Sequence, residues 1–201
     1  MKKILSVILC AFLLLSLFGC AGLATLVPER GVVEDNVYKS ESLGITFTKP
    51  DRWSYYSDEQ IAELHDIAVD ELATEKFAEA LENSDAIYDM MAIDSNNGTN
   101  ISVGYENLLR TLSVSITAEE YIETLKEQMS EVTEIETEFS DEITTQKLGE
   151  VEFAKIVCTS SINGEKLTQV FYARKVGAFM GYIVLTIPKG YSVEYIEGLF
   201  S

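Results

Sequence analysis

The stretch Gly44-Ile45-Thr46-Phe47-Thr48-Lys49-Pro50-Asp51-Arg52-Trp53 runs from a turn, through a strand, to a stop. Ile45 and Phe47 alternate with Thr46 and Thr48, the period of two expected of a half-buried strand. Pro50 cannot donate to a ladder and ends it. Val37-Tyr38-Lys39-Ser40, just upstream, reads as the partner strand, with Gly44 at the turn of a hairpin. Beyond the stop, Trp53, Tyr55 and Tyr56 crowd four positions with aromatic rings.

Working toward the C-terminus, Ser57-Asp58-Glu59-Gln60 is a capping box, with Ser at the N-cap and Gln three later. Ile61, Leu64, Ala68 and Leu72 follow at helical spacing, which predicts a helix to about residue 81 with a break near Thr74. His65, the only histidine, falls inside it and reads as a boundary or surface residue. Residues 86–93 and 99–106 read as strands around Asp94-Ser95-Asn96-Asn97-Gly98, with Ile101, Val103 and Tyr105 on one face. Asp94 and Asn96 invite a calcium-loop reading. Counting from Asp94, however, the sixth and twelfth places are Thr99 and Tyr105, where an EF-hand needs Gly and an acid. Asn-Gly already accounts for a hairpin turn. Thr117-Ala118-Glu119-Glu120 is a second capping box, ahead of the stripe Tyr121, Ile122, Leu125, Met129 and Val132. A mostly β stretch follows, with strands over 151–161 and 166–176 flanking Asn163-Gly164, then a strand over 179–187 stopped by Pro188. Ser192 caps a last helix over 193–200.

This order of elements, with the Gly-x-x-Phe-x-x-Pro-x-x-Trp pattern of residues 44–53 at its head, resembles the PsbP-like superfamily over residues 37–201. The resemblance implies an α+β fold, an αβα sandwich with a mostly antiparallel central sheet. It implies binding or assembly roles without catalysis, and it carries over no catalytic residue. Independently, about 165 residues suffice to bury one substantial core.

Upstream lies an address. Met1-Lys2-Lys3 is a short positive region, and residues 4–18 are apolar apart from Ser6 and Ser16. That run is roughly 22 Å as a helix, short of the about 20 residues a membrane span needs. It reads as the core of a signal peptide over residues 1–19. Leu17-Phe18-Gly19-Cys20 resembles the lipobox of bacterial lipoproteins, in which the cysteine thiol receives a diacylglycerol and the preceding peptide bond is cut. Phe18 is bulkier than that pattern usually holds. Cys20 is therefore the expected lipidation site, and two acyl chains make a stable anchor. Residues 20–36, with Pro28, Gly31 and no apolar period, read as a tether. The protein is expected on the extracytoplasmic face of a bacterial membrane.

Composition narrows the function. The chain has 201 residues, 15 Lys and Arg against 33 Asp and Glu, and a net charge of −18. Nucleic-acid binding needs the opposite balance. Three cysteines and one histidine provide neither a disulfide framework nor a His-rich metal site. Cys158, the thiol left after processing and lipidation, shares a strand face with Ala154 and Ile156, which points to core packing. No nucleophile elbow, phosphate loop or zinc-helix motif occurs. No cofactor and no metal site are expected.

Residues 58–94 hold twelve acids and one base, and residues 119–142 hold ten acids and one base. Such helices are ordinarily solvated faces, though they also fit a basic partner or divalent cations. The leading expectation is a non-catalytic binding or accessory protein of the cell envelope, acting through a protein partner. Its candidate surface is Trp53, Tyr55 and Tyr56, with Glu119, Glu123 and Glu127 spaced four apart on one helical face. A small-ligand or divalent-cation-binding lipoprotein is the alternative, and a carboxylate-dependent hydrolase a remote one. A deep pocket with converging polar groups would favour these alternatives. An exposed aromatic patch would favour the protein partner.

Overall fold

The computed structural model describes residues 27–65, 68–131, 136–162, 165–188 and 190–201. Cys20, the signal segment, Val132 and the Asn163-Gly164 turn lie outside them. The fold is α+β, as expected. Strands β1 (Val32–Glu34), β2 (Val37–Ser40) and β3 (Ile45–Thr48) form one small antiparallel sheet in that order. Gly44, at φ 69°, lets the β2–β3 hairpin close in a conformation that a side chain disfavours.

The main sheet contains β4 (Ser54–Tyr55), β5 (Ala86–Ile93), β6 (Asn100–Asn107), β7 (Glu136–Phe139), β8 (Thr144–Leu148), β9 (Val151–Ile162), β10 (Glu165–Val176) and β11 (Phe179–Ile187). Its order is β4-β5-β6-β11-β10-β9-β7, with β8 also on β9, and every pairing is antiparallel.

Both faces of this sheet are covered, so its strands carry apolar residues on both sides. Along β11, Phe179, Ile183 and Leu185 face one core, and Met180, Tyr182 and Val184 face the other. The first core is closed by the β2–β3 hairpin and by helices α1 (Asp58–His65), α2 (Thr74–Asn83) and α5 (Val193–Glu197), which contribute Phe47, Ile61, Phe77 and Ile196. The second is closed by a single-turn helix α3 (Leu108–Thr111) and by α4 (Ala118–Glu131), through Leu108, Tyr121, Ile122 and Leu125. The layers are those of an αβα sandwich, with a small β-sheet built into one of them.

The two capping boxes form reciprocally. Ser57 N–H donates to Gln60 Oε1 at 2.9 Å, and Gln60 N–H to Ser57 Oγ at 3.4 Å. Thr117 N–H donates to Glu120 Oε2 at 2.8 Å, and Glu120 N–H to Thr117 Oγ1 at 3.2 Å. Two boundaries differ from expectation. The first long helix stops at His65, and the chain resumes as a 3-10 turn (Val69–Leu72) before α2. Ala68 and Ala73, both extended at ψ 140°, set these pieces apart. The last helix ends at Glu197, after which Phe200 bridges to Phe47 and Ser201 pairs with Thr46.

Cys158 lies in the second core, 1% exposed, beside Ala154 and Ile156. Burial pushes its thiol up to about 12. In a chain starting after Cys20, thiol reagents should therefore label Cys158 only after denaturation. Fast labelling of the folded protein would reopen a redox role.

Candidate functional site

The strand β5 carries one acid inside an apolar run, Ala86-Ile87-Tyr88-Asp89-Met90-Met91-Ala92-Ile93. The β5–β6 register steps from Tyr88↔Gly104 to Met90↔Val103, so Asp89 is the extra residue of a bulge. A bulge re-aims the side chain it carries. Here the Asp89 carboxylate enters the interior with no exposed side-chain surface. Both oxygens accept from Gly31 N–H at 3.0 Å, and Tyr38 OH donates to Oδ2 at 2.6 Å. Gly31 is required by this approach, because a Cβ there would meet the Tyr38 ring at 2.3 Å.

Arg30 stands beside it, with Nε 4.0 Å from Asp89 Oδ1. Its two terminal nitrogens fork onto Asp58 at 2.9 and 2.5 Å, and one also donates to the Leu72 carbonyl. One guanidinium thus ties the chain ahead of β1 to the first turn of α1 and to the end of the 3-10 turn. Its hydrogen bond holds the Asp58 carboxyl below the usual range, against partial burial, and Asp58 raises Arg30 in return. For Asp89 burial dominates. It outweighs Tyr38, Gly31 and Arg30, and pushes the carboxyl up to about 6.

These groups form the polar end of an open cleft of about 290 Å³. Val32 and Val33 line it from β1, with Gly31 just before that strand, and Tyr55 and Tyr56 from β4 and the residue after it. Ile61, Met90 and Met91 supply apolar surface, and Thr74 also borders it. Both β1 and β4 are terminal strands of their sheets among the described residues. The cleft therefore lies between two sheet edges. It is also built from residues 30–33, which were expected in a tether. Val27, within the same segment, packs against the first core. The expectation of a free tether over residues 20–36 is corrected for its described part, 27–36.

The expected partner surface is not brought together. Trp53 is buried at 2% exposure. Its Nε1–H donates to Tyr191 OH at 2.9 Å, which in turn donates to Asp94 Oδ2 at 2.9 Å. Arg52 Nε lies 3.0 Å from the same carboxylate oxygen. Burial opposes ionisation of Asp94. Hydrogen bonds from Asn96 and Tyr191, with the charge of Arg52, outweigh it and hold the carboxyl below its ordinary value. The turn that invited a calcium reading is thus a strut between β5 and the segment before α5. Tyr55 and Tyr56 are half-buried against the first core, so with Trp53 they form no exposed aromatic patch. Glu119, Glu123 and Glu127 are all exposed on α4, opposite the buried Tyr121, Ile122 and Leu125. They lie on the other face of the main sheet from the core that flanks the cleft. His65 closes α1.

A third buried acid, Glu106, accepts from Tyr121 OH at 2.6 Å. Burial raises its carboxyl despite hydrogen bonds from Thr111 and Tyr121. Among the described residues, no group of three or more His, Cys, Asp or Glu side chains converges on a metal position. No helix of the described residues is long and apolar enough to cross a membrane.

No family profile and no curated protein matches the chain. The resemblance to the PsbP-like superfamily therefore rests on the opening motif and the element order alone. Among solved structures, a protein from Bacteroides thetaiotaomicron aligns over 82% of this chain and 46% of its own, with a TM-score of 0.41 and 12% identity. This chain thus spans less than half the length of that protein. LpqN, described as involved in cell envelope biogenesis of Mycobacterium tuberculosis, aligns over 71% of this chain and 68% of its own, with a TM-score of 0.38 and 12% identity. At these values neither likeness decides function.

Sequence reasoning missed Arg30, Gly31 and Asp89. One signal for Asp89 was present, a lone acid within an apolar strand, since a charge is seldom fully buried unless it is paired.

Proposed function

We propose that this protein is a lipid-anchored, extracytoplasmic binding protein of the bacterial cell envelope that works by binding and not by turnover. The observation that carries this reading is the short distance between the lipobox cysteine and the cleft. Residues 21–26 alone separate Cys20 from the described body at Val27. Fully extended, that connection spans at most about 25 Å. The cleft and the outer edge of β1 would thus sit close to the bilayer, where tethering raises the local concentration of membrane neighbours.

Two features support binding to a protein partner. The outer edge of β1 is unpaired among the described residues, and Val32 and Val33 beside it are 56% and 45% exposed. Such an edge is a template for an added strand. The exposed Glu119, Glu123 and Glu127 would steer a basic partner on approach. The small-ligand reading is favoured by a different observation, the cleft itself, with polar groups at one end and apolar walls. Nothing favours the carboxylate-hydrolase reading. Asp58 and Asp89, the two acids of the cleft, are each bound to donors that hold the fold together.

The anchor is tested at Cys20. Mass spectrometry of the processed N-terminus should show diacylglycerol on Cys20. Cys20→Ser should leave precursor uncleaved, or protein without its normal lipid. An unmodified N-terminus beyond Ala21 would end the lipoprotein reading. A pull-down from detergent-solubilised membranes then separates a protein partner from a small ligand.

A further inference from the structure

Of the two carboxylates that line the cleft between β1 and β4, Asp89 is fully buried and bound to Gly31 N–H and Tyr38 OH, so Asp58 is the one a ligand can reach. Both terminal nitrogens of Arg30 are engaged with Asp58, and one with the Leu72 carbonyl, which leaves Arg30 poorly placed to receive an anion. The Asp58 side chain is 43% exposed, and each oxygen accepts one bond from Arg30. A carboxylate offers about four acceptor positions, so Asp58 can accept more. The remaining walls suit an aliphatic stem. Met90 and Met91 are polarizable and adaptable, and tyrosine faces attract cations. The fold already uses that attraction nearby, since Lys49 Nζ lies over the Tyr55 ring, 5.5 Å from its centroid. The negative charge of the whole chain adds a field that concentrates cations.

We propose that this cleft binds a small organic cation, a primary ammonium on a short aliphatic stem, with the ammonium at Asp58 and the stem against Tyr56 and Met91. The open cleft of about 290 Å³ has room for a ligand of that size. The inference deepens the binding reading above and is independent of the anchor. Failure to bind an amine would leave the Cys20 result standing, and loss of the anchor would leave amine binding intact.

The test uses the full chain in nonionic detergent at about 0.15 M salt, where weak surface attraction is screened. The probe is 1,5-diaminopentane, and the readout is the NMR shift of the methionine methyl groups. Met90 and Met91 line the cleft, whereas Met129 and Met180 belong to the second core, Met129 on the acidic helix α4. Saturable shifts at Met90 and Met91 are expected, with Met129 and Met180 unmoved.

Asp58→Asn should weaken binding about tenfold or more, the scale of one charge-assisted hydrogen bond. Because Asp58 also holds Arg30, exposed Thr74 at the cleft provides a second arm that leaves that pair alone. Thr74→Arg should weaken binding and Thr74→Asp should strengthen it. An N-acetyl-lysine amide that saturates at lower concentration than the diamine would assign the cation to a peptide side chain, and the reverse order to a free amine. Either order supports the proposal. It is overturned if neutral 1,5-pentanediol or anionic glutarate shifts Met90 and Met91 as strongly. It is equally overturned if Met129 moves with the same midpoint, or if millimolar diamine moves neither cleft methionine.

Discussion

Trp53→Ala should lower the free energy of unfolding by about 3–5 kcal/mol, the cost of emptying a large aromatic from a packed core. Small domains have only about 5–15 kcal/mol in total, so much of the stability would go. The side chain is 2% exposed and reaches two separated parts of the chain. Its ring meets Phe47 of β3 at 6.3 Å and the edge of Tyr191 at 5.7 Å, and Phe47 in turn meets Phe200 at 5.1 Å. Its indole N–H donates to Tyr191 OH, which is itself committed to Asp94. Trp53→Phe separates these roles. It keeps most of the buried area, loses the donor, and should cost about 1–2 kcal/mol. Urea unfolding followed by circular dichroism checks both, since this is the only tryptophan and its fluorescence vanishes with it. A loss under about 1 kcal/mol for Trp53→Ala would return Trp53 to the surface, the range of an exposed substitution.

That Trp53 first reads as part of a binding surface shows which information is local. Elements set by neighbours in sequence were legible. The two capping boxes, the β2–β3 hairpin with Gly44, and β11 between Gly177 and Pro188 depend on contacts a few residues apart. The readings that failed depend on distant partners. Trp53 finds Tyr191 138 residues away, and Gly31 finds Asp89 58 residues away. β1 has no apolar period because all three of its residues are exposed. Its pairing with β2, the Arg30–Asp58 ion pair and the Gly31–Asp89 hydrogen bonds make it part of the fold.

The break in the first long helix has the same origin. The sequence predicts a break near Thr74, where Ala73 is extended, but alanine favours helix and nothing local at Ala68 announces the earlier one. The Leu72 carbonyl, which a continued helix would use internally, is taken by Arg30 instead. The cleft depends on these long-range contacts, which is why it could not be read from the sequence although its single clue, the acid at position 89, was in view.

Asp89 should also give the protein an unusual pH profile, with stability falling as pH rises from about 4 to about 6. An exposed or unfolded aspartate ionises near pH 3.9. In the folded chain, burial pushes Asp89 up to about 6. Between these values the folded state holds a proton that the unfolded state has released, so raising the pH favours unfolding. Two pH units correspond to about 3 kcal/mol for one group titrating alone. Glu106 acts in the same direction, since burial raises it too. Asp58 and Asp94 act in the opposite direction. Both lie below their ordinary values, so their contribution is present above about pH 4 and is lost only as pH falls further.

Thermal unfolding should therefore be higher near pH 4.5 than near pH 7, and the difference should shrink in Asp89→Asn. That variant can still accept from Gly31 N–H through its carbonyl oxygen, and its amide can donate to the Tyr38 hydroxyl, so the fold survives while the titration is gone. What remains of the slope belongs to Glu106 and to relief of repulsion in a chain of net charge −18. Asp89→Ala behaves differently. It strands the Tyr38 hydroxyl and Gly31 N–H without an acceptor, deprives Arg30 of a charge, and should cost about 3–5 kcal/mol near pH 7. If Asp89→Asn leaves the dependence between pH 4.5 and 7 unchanged, the proton is not held at Asp89, and the carboxylate at the bulge is stabilised in its ionised form by Arg30.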